Sequence, residues 1–448
     1  TWLTVRPDRF GAGAVPTPYW SPRDVAEQAA ADPFHGSADD AVEALHELLT
    51  DAVKLRMEAD VPLGAFLSGG LDSSTIVALM QANSSRPVRT FTIGFREERH
   101  DEARYAAAIA RHLGTEHTEQ YLTPADALAV IPRLPVLYDE PFADTSQIPT
   151  LLVAELTRRH VTVSLSGDAG DELFGGYRRH RLGPAIWRAI KWIPLPVRRG
   201  LGTLLAPPLT ARGGVLGASL SRITHTLTGK RNLVERARQA AEILPLESPI
   251  ALYHYMMSFW KHPDTLLRGA HELLVPATDP SRWPDLGASP EQIMMYLDTV
   301  AWLPDDILVK LDRASMGESL EARIPLLDHR VIEFAWRLPL GIRLRGKGSK
   351  WPLRQVLKRY VPLQLVDRPK RGFHMPVAEW LRGPLRDWAE GLLDERRLRD
   401  SALDPRPVRE KWEEHLAGTT RWDYHLWTVL MYSAWVDSAA QTPHPVAA

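Results

Sequence analysis

An apolar stretch from Val61 to Leu67 runs without a break into Ser68-Gly69-Gly70-Leu71-Asp72-Ser73-Ser74 and then into an amphipathic segment, Thr75 to Gln81. That order reads as a buried strand, a tight turn and a helix N-terminus. Two glycines let the backbone turn sharply and approach a ligand closely. Hydroxyls and unpaired amides at the start of the helix then face an anion, and the helix dipole favours its negative charge. A pyrophosphate fits such a cradle. The run lacks the G-x-x-x-x-G-K-[ST] pattern and internal lysine of a Walker loop. Asp72 takes a central place instead, which suggests a carboxylate holding Mg²⁺ against phosphate oxygens.

The flanking sequence sets this loop in an alternation of strands and helices. Strands are expected at 65–67, 88–95, 116–122 and 161–165, and helices at 74–81, 101–113, 124–137 and 145–159. An earlier helix over Ser37 to Asp60 starts well, with Ser37 as N-cap and Asp39 and Asp40 in its first turn. Alternating elements of this kind predict an α/β fold, a parallel sheet with helices on both faces, followed by a mainly helical C-terminal region. Ser68, Gly94 and Ser166 are each expected just past the carboxyl end of a strand, where ligands of such sheets bind. Residues 1–36 are rich in Pro and Gly and read as the end of an upstream domain plus a linker. Residues 37–180 read as the nucleotide-binding α/β part and 181–448 as the helical part. Trp412, Trp422, Trp427 and Trp435 are expected in the helical core. The segment 178–238 is basic, with Glu235 its one acid, and reads as solvated helices and loops or as a surface for an anionic partner.

Composition removes several classes of function. The chain of 448 residues has no cysteine, which excludes disulfides, thiolate metal sites and a Cys nucleophile within it. Its formal net charge of −1 supplies no overall field for nucleic acid or membrane. No apolar run reaches the roughly 18–20 residues of a membrane span. These features fit a cytoplasmic protein. The chain begins at Thr1, inside what reads as a strand (Trp2-Leu3-Thr4-Val5), so it is expected to be a piece of a longer protein.

A second segment carries comparable chemistry: Leu165-Ser166-Gly167-Asp168-Ala169-Gly170-Asp171-Glu172-Leu173-Phe174-Gly175-Gly176-Tyr177. Three acids crowd a Gly-rich turn after a buried strand. Carboxylates gathered near a phosphate site are costly unless a cation lies between them, so Asp171 and Asp72 together suggest Mg²⁺.

The phosphate-loop run resembles the signature of the ATP pyrophosphatases, the PP-loop enzymes of the adenine nucleotide alpha hydrolase-like fold. Further segments narrow the likeness: Phe91 to Phe95, Asp139 to Asp144, Leu303 to Met316, Leu320 to Asp328 and Arg368 to Phe373. In this order they resemble the synthetase domain of class B, glutamine-dependent asparagine synthetases over roughly residues 38–440. The resemblance implies that the side-chain carboxylate of aspartate attacks the α-phosphate of ATP, releasing pyrophosphate. Ammonia then attacks the acyl-adenylate to give asparagine and AMP. It further implies that Ser68, Gly69, Gly70, Asp72, Ser73 and Ser74 cradle pyrophosphate, with Asp72 and Asp171 on Mg²⁺. Leu67, Ile93 and Gly94 would hold adenine and ribose, with Ser166 and Gly167 close to the nucleotide. Lys370 would steady charge on the phosphates. Lys310, Asp312 and Arg313 would face the cleft or form a helix-surface ion network, and Asp101 would lie near the nucleotide or cap a helix.

Asp168 departs from the resemblance, because well-studied asparagine synthetases carry Glu there. One methylene fewer sets the carboxylate back by about 1.5 Å, a bond length's worth, where geometry governs proton transfer. A relative that amidates another carboxylate, such as a sugar acid, or one that closes a ring in a biosynthetic pathway is therefore the alternative product class. Family members start with a glutaminase domain whose N-terminal Cys releases ammonia from glutamine. Homodimers are common among them.

Overall fold

The computed structural model describes residues 1–4, 16–95, 103–205, 231–269, 275, 278–284, 289–346, 349–367 and 375–441. The chain divides into two compact units. The first comprises 1–176, 262–286 and 296–448, and the second 177–261 and 287–295.

The first unit is built on five parallel strands: β1 (Leu63–Phe66), β2 (Arg89–Phe95), β3 (Glu116–Leu122), β4 (Val163–Leu165) and β5 (Glu321–Arg323), in the order β3-β2-β1-β4-β5. Six helices surround or feed the site: α1 (Ala38–Met57), α2 (Leu71–Ala82), α3 (Gln147–Arg158), α4 (Gly170–Phe174), α5 (Val309–Gly317) and α6 (Trp351–Lys358). Ser37 caps α1 through a reciprocal box with Asp40, whose amide lies 3.1 Å from the Ser37 hydroxyl. The central strands are buried on both faces, as a parallel sheet covered by helices requires.

From β1 the chain builds outward through β2 and β3, then returns to the other side of β1 for β4 and β5. The reversal lies between β1 and β4, which pair in register from Leu63 with Val163 to Ala65 with Leu165. The crevice at the carboxyl ends of these two strands is where an open α/β sheet binds its ligand. The phosphate-loop run follows β1, and the acidic Gly-rich segment follows β4.

The α/β class is as expected, and four local readings change. Gly94 lies inside β2, paired with Tyr121, so it does not follow the strand's end. The helix after the phosphate loop starts at Leu71, because Gly70 in extended backbone serves as its N-cap and draws Leu71 to Ser74 into the first turn. The 124–137 segment breaks into α-helix, a 3₁₀ turn at Ile131–Arg133 and a further short helix. The fifth strand lies within the segment expected to be helical. Three residues carry too little periodicity to announce a strand, yet the amide of Ser166 donates to the Arg323 carbonyl at 2.8 Å and pins β5 beside the site.

Within 1–36, the stretch read as a linker contains the helix Pro22–Ala31, capped by Ser21. Trp20 donates to Glu333 at 2.9 Å, and Phe34 meets Phe334 edge to face at 5.5 Å, so this segment is packed onto the helix His329–Arg337. Trp412, Trp422 and Trp427 are buried, as expected for core residues. Trp435 is half-buried and donates to the Asp139 carbonyl at 2.7 Å.

The second unit is helical: Arg179–Ile190, Leu195–Leu205, Arg231–Ile243 and Pro249–Met257. Of the basic segment 178–238, residues 206–230 lie outside the described residues. Arg198 is buried and donates to the carbonyls of Ile193 and Leu244 at 3.0 and 3.2 Å and to that of Leu246. That residue is structural rather than part of an anion-binding surface. Among the described residues no helix is long and apolar enough to cross a membrane.

Candidate active site

The phosphate loop is folded by its own hydroxyls. The Ser68 amide lies 3.2 Å from the Ser73 Oγ, the two hydroxyls are 3.0 Å apart, and the Gly70 amide donates to the Ser68 Oγ at 3.2 Å. Gly69 takes a left-handed conformation (φ 72°), which its lack of a Cβ permits. The cap at Gly70 has no side-chain hydrogen bond. The positive end of α2 therefore lies behind a loop of small polar residues, the arrangement that binds phosphate. Ser74 is fully buried, and among the described residues its hydroxyl has no hydrogen-bond partner. Leu67 and Ile93 have buried side chains.

The loop after β4 lies directly against this one. A Cβ on Gly167 would sit 2.5 Å from the Ser73 nitrogen and 2.7 Å from the Asp72 carbonyl carbon, so only glycine lets the two backbones touch. Ala169 adopts the left-handed region (φ 74°) as the N-cap of α4, a conformation costly for a residue with a Cβ. This turn aims Asp171 at Asp72. Asp168 accepts a hydrogen bond from the Ser166 hydroxyl at 2.5 Å, which fixes the carboxylate beside the turn.

Between Asp72 and Asp171 lies a side chain that the motifs in the sequence did not single out. The ammonium of Lys350 pairs with Asp72 Oδ2 and lies 2.8 Å from Asp171 Oδ1, and its side chain is only 5% exposed. Burial opposes the charge, but Asp171 and Asp72 outweigh it and raise the Lys350 pKa above the ordinary lysine value. Lys350 is the N-cap of α6, with left-handed backbone (φ 55°). A signal for it was present in the sequence. A Lys followed by Trp-Pro at a helix start is a poor cap, since Ser, Thr, Asp or Asn is favoured there and a cation faces the positive helix end.

A second, half-buried lysine lies near Asp168. Lys310, on α5, donates to Asp144 Oδ2 at 2.7 Å, and Asp144 also accepts from the Ser146 amide at 2.9 Å and its hydroxyl at 2.8 Å. Burial lowers the Lys310 pKa, but Asp144, Asp306 and Asp168 together raise it above the ordinary value. Asp144 is held below the usual carboxylate range because Lys310 and Ser146 offset its burial. This pair is half-buried and joins α5 to the segment before α3 rather than lying along one helix surface, and it sets a cation near the acidic turn.

The structure thus brings together Ser68, Gly69, Gly70, Asp72, Ser73, Ser166, Gly167, Asp168 and Asp171 at the β1/β4 crevice. Lys370 and Asp101 lie outside the described residues. The residues present fit Mg²⁺. This ion takes oxygen donors and commonly only one or two carboxylates, with phosphates and water completing its shell. Two carboxylates, from the first turns of α2 and α4, already converge on one cationic group. Among the described residues no group of three or more His, Asp or Glu forms a fuller metal cage.

Comparison with known proteins adds independent support. The asparagine synthase family model matches residues 44–437. A putative glutamine-hydrolysing asparagine synthetase of Mycobacterium tuberculosis is 35% identical over 427 residues, covering 94% of this chain and 61% of the relative. Asparagine synthetase 1 of Bacillus subtilis is 30% identical over 407 residues, covering 90% of this chain and 60% of the relative. The amidase chyE of Penicillium rubens is 25% identical over 384 residues, covering 78% of this chain and 54% of the relative. The chain thus spans about three fifths of the length of the two synthetases. With the family model matching nearly the whole chain and the two synthetases 30–35% identical over most of it, this protein belongs to the asparagine synthase family.

Proposed function

We propose that the chain is an ATP-dependent amide ligase that activates the side-chain carboxylate of aspartate as an acyl-adenylate and passes it to ammonia, forming asparagine, AMP and pyrophosphate. The observation that carries this reading is the convergence of Asp72 and Asp171, from the first turns of α2 and α4, on one buried cationic group beside the phosphate loop.

A carboxylate is a poor electrophile, so its oxygen must first become part of a good leaving group. The amides and hydroxyls of Ser68 to Ser73 would bind the departing pyrophosphate at the N-terminus of α2, and AMP leaves in the second step. Asp72 and Asp171 would hold Mg²⁺, which when bound neutralises phosphate charge. Lys350 adds a positive charge beside the phosphate loop, and Lys370 is assigned to the developing phosphate charge. Asp168 and Lys310, which lie near each other, are assigned to the acceptor. The Lys310 ammonium can orient a carboxylate, and the Asp168 carboxylate can take a proton from the attacking ammonia. In this reading ammonia comes from glutamine through an upstream glutaminase domain, and added ammonium replaces it in the assay.

The test is ATP–pyrophosphate exchange with Mg²⁺ across a panel of carboxylates, followed by ammonium addition and product identification by mass. Aspartate-dependent exchange yielding asparagine supports the reading. Exchange with a different acid alone keeps the chemistry and replaces the acceptor, the outcome favoured by the shorter Asp168 and the similarity to an amidase. No exchange with any carboxylate removes the ligase reading.

A further inference from the structure

Lys350 occupies a place that its own backbone does not favour. Its φ of 55° and ψ of 42° belong to the left-handed region, and its charge sits at the positive end of α6. The side chain is nonetheless drawn inward, over Gly176, where any Cβ would collide with the Lys350 Cε and Asp171 Oδ1. The second glycine of Gly175-Gly176 is therefore required by the lysine stem and the Asp171 carboxylate. What holds Lys350 there is the pair of carboxylates, and without a cation those two largely covered carboxylates would repel each other.

We propose that Lys350 is an internal stand-in for the divalent cation. In the nucleotide-free protein its ammonium neutralises Asp72 and Asp171 and ties the loops after β1 and β4 to α6. When Mg²⁺ arrives with ATP, the carboxylates transfer to the metal. The ammonium, on a flexible four-carbon stem, turns to the polyphosphate beside it. The exchange leaves neither a buried carboxylate pair nor a buried ammonium uncompensated at any stage. It also makes the metal dependent on the nucleotide: Mg²⁺ alone must displace a bound cation with nowhere else to put it. The inference rests on the proposed use of Mg–ATP, but its central consequence is measured without ATP.

The experiment uses the full chain and Mn²⁺ as a paramagnetic probe of the Mg²⁺ site, read by electron paramagnetic resonance, with thermal unfolding alongside. Three proteins are compared: wild type, Lys350→Met, which keeps the stem and removes the charge, and Lys350→Arg, which keeps a charge. Wild type and Lys350→Arg should bind Mn²⁺ weakly without nucleotide. Lys350→Met should unfold at lower temperature in chelator, recover stability with Mg²⁺, and bind Mn²⁺ at least about tenfold more tightly, since a like charge a few ångströms from the site has been removed. Equal Mn²⁺ affinity in wild type and Lys350→Met overturns the proposal, as does unchanged stability of Lys350→Met in chelator. If Lys350→Met fails to fold in chelator, its refolding on Mg²⁺ addition supports the proposal and failure to refold counts against it. A wild type that binds no Mn–ATP at all instead defeats the ATP reading. That outcome is distinct from a protein that binds Mn–ATP but shows no metal gain on loss of Lys350.

Discussion

Two clusters of charge flank the sheet, and they are built in opposite ways. At the carboxyl ends of β1 and β4, two carboxylates share the ammonium of Lys350. Beside β5, Asp328 is saturated. Its Oδ1 accepts from the Arg330 amide and Nε, both at 3.0 Å, and its Oδ2 accepts from Arg330 at 2.9 Å and Arg56 at 3.0 Å. Arg323 completes that corner by donating to the carbonyls of Arg56 at 3.1 Å and Glu58 at 2.6 Å. A guanidinium fork fixed on a carboxylate is rigid and has no reason to exchange. One flexible ammonium divided between two carboxylates can be replaced. Both clusters lie in family-like motifs, so the motif alone does not separate chemistry from scaffolding. Position relative to the strand ends and the kind of cation do.

The strongest test of this contrast is Asp72→Asn. An amide still accepts a hydrogen bond from Lys350, so the fold should survive. Loss of the metal carboxylate should lower ATP–pyrophosphate exchange at least ~10³-fold, the scale of removing a major charge-stabilising group from a transition state. Near-normal exchange at unchanged unfolding temperature would take Asp72 out of the metal site and leave the two clusters functionally alike.

The converse substitution is Asp328→Asn. It removes the charge that holds Arg56 and Arg330 and weakens the cap of the helix His329–Arg337. It should cost about 2 kcal/mol of stability, the range for a lost charged hydrogen-bond partner, while exchange stays within about twofold. Hydrogen bonding from the Arg330 side chain holds the Asp328 carboxyl well below the usual range, with the Arg330 amide and Arg56 adding to this against its burial. A depressed carboxylate contributes stability above its unfolded value, near 3.9, that is lost as the pH falls through the folded value. The variant should therefore lose less stability than wild type on acidification below about pH 4. Unfolding curves against pH check this, and an exchange defect at full stability would make Asp328 part of the site.

These contrasts explain what could be seen in advance. The phosphate loop was legible because its chemistry is local. Strand, turn and first helical turn lie within Val61 to Gln81, and hydroxyls, amides and glycine act through neighbours in sequence. The acidic turn after β4 was legible for the same reason. Lys350 was not, because it lies 278 residues from Asp72 and meets it only when α6 packs against α1 and α2. β5 escaped because three residues hold no period and its identity comes from pairing with β4. The helix Pro22–Ala31 was masked by flanking prolines and glycine, although Ser21 before Pro22 is a sound N-terminal signal. Gly94 was placed past the strand although the expected strand 88–95 already contained it, and the pairing of β2 with β3 through Phe95 keeps it inside.

The smallest expected effect separates the two clusters by pH from a third location. His415, in the helical region, is fully buried; its Nε2 donates to the Ala378 carbonyl at 3.1 Å and its Nδ1 accepts from the Trp422 amide at 3.2 Å. Those partners fix one neutral tautomer. A proton added to Nδ1 would face the Trp422 N–H, so burial holds the His415 pKa below the ordinary histidine value, despite the opposing bond to Ala378. Burial likewise lowers His117, and it lowers His46 with help from Arg359. In each case the unfolded chain binds the proton more readily, so the stability is whole above about pH 6.5 and declines as the pH falls from there towards the folded values. The window lies above the one governed by Asp328, so the two effects appear in separate parts of one acid titration. His415→Gln keeps a donor towards Ala378 and removes the titration. It should lower stability at pH 8 but flatten the decline as the pH falls below about 6.5. An unchanged slope in that variant would assign the acid sensitivity to His46 and His117. A slope that vanished with Asp328→Asn instead would merge the two windows and undo the distinction between a saturated carboxylate and a neutral buried imidazole.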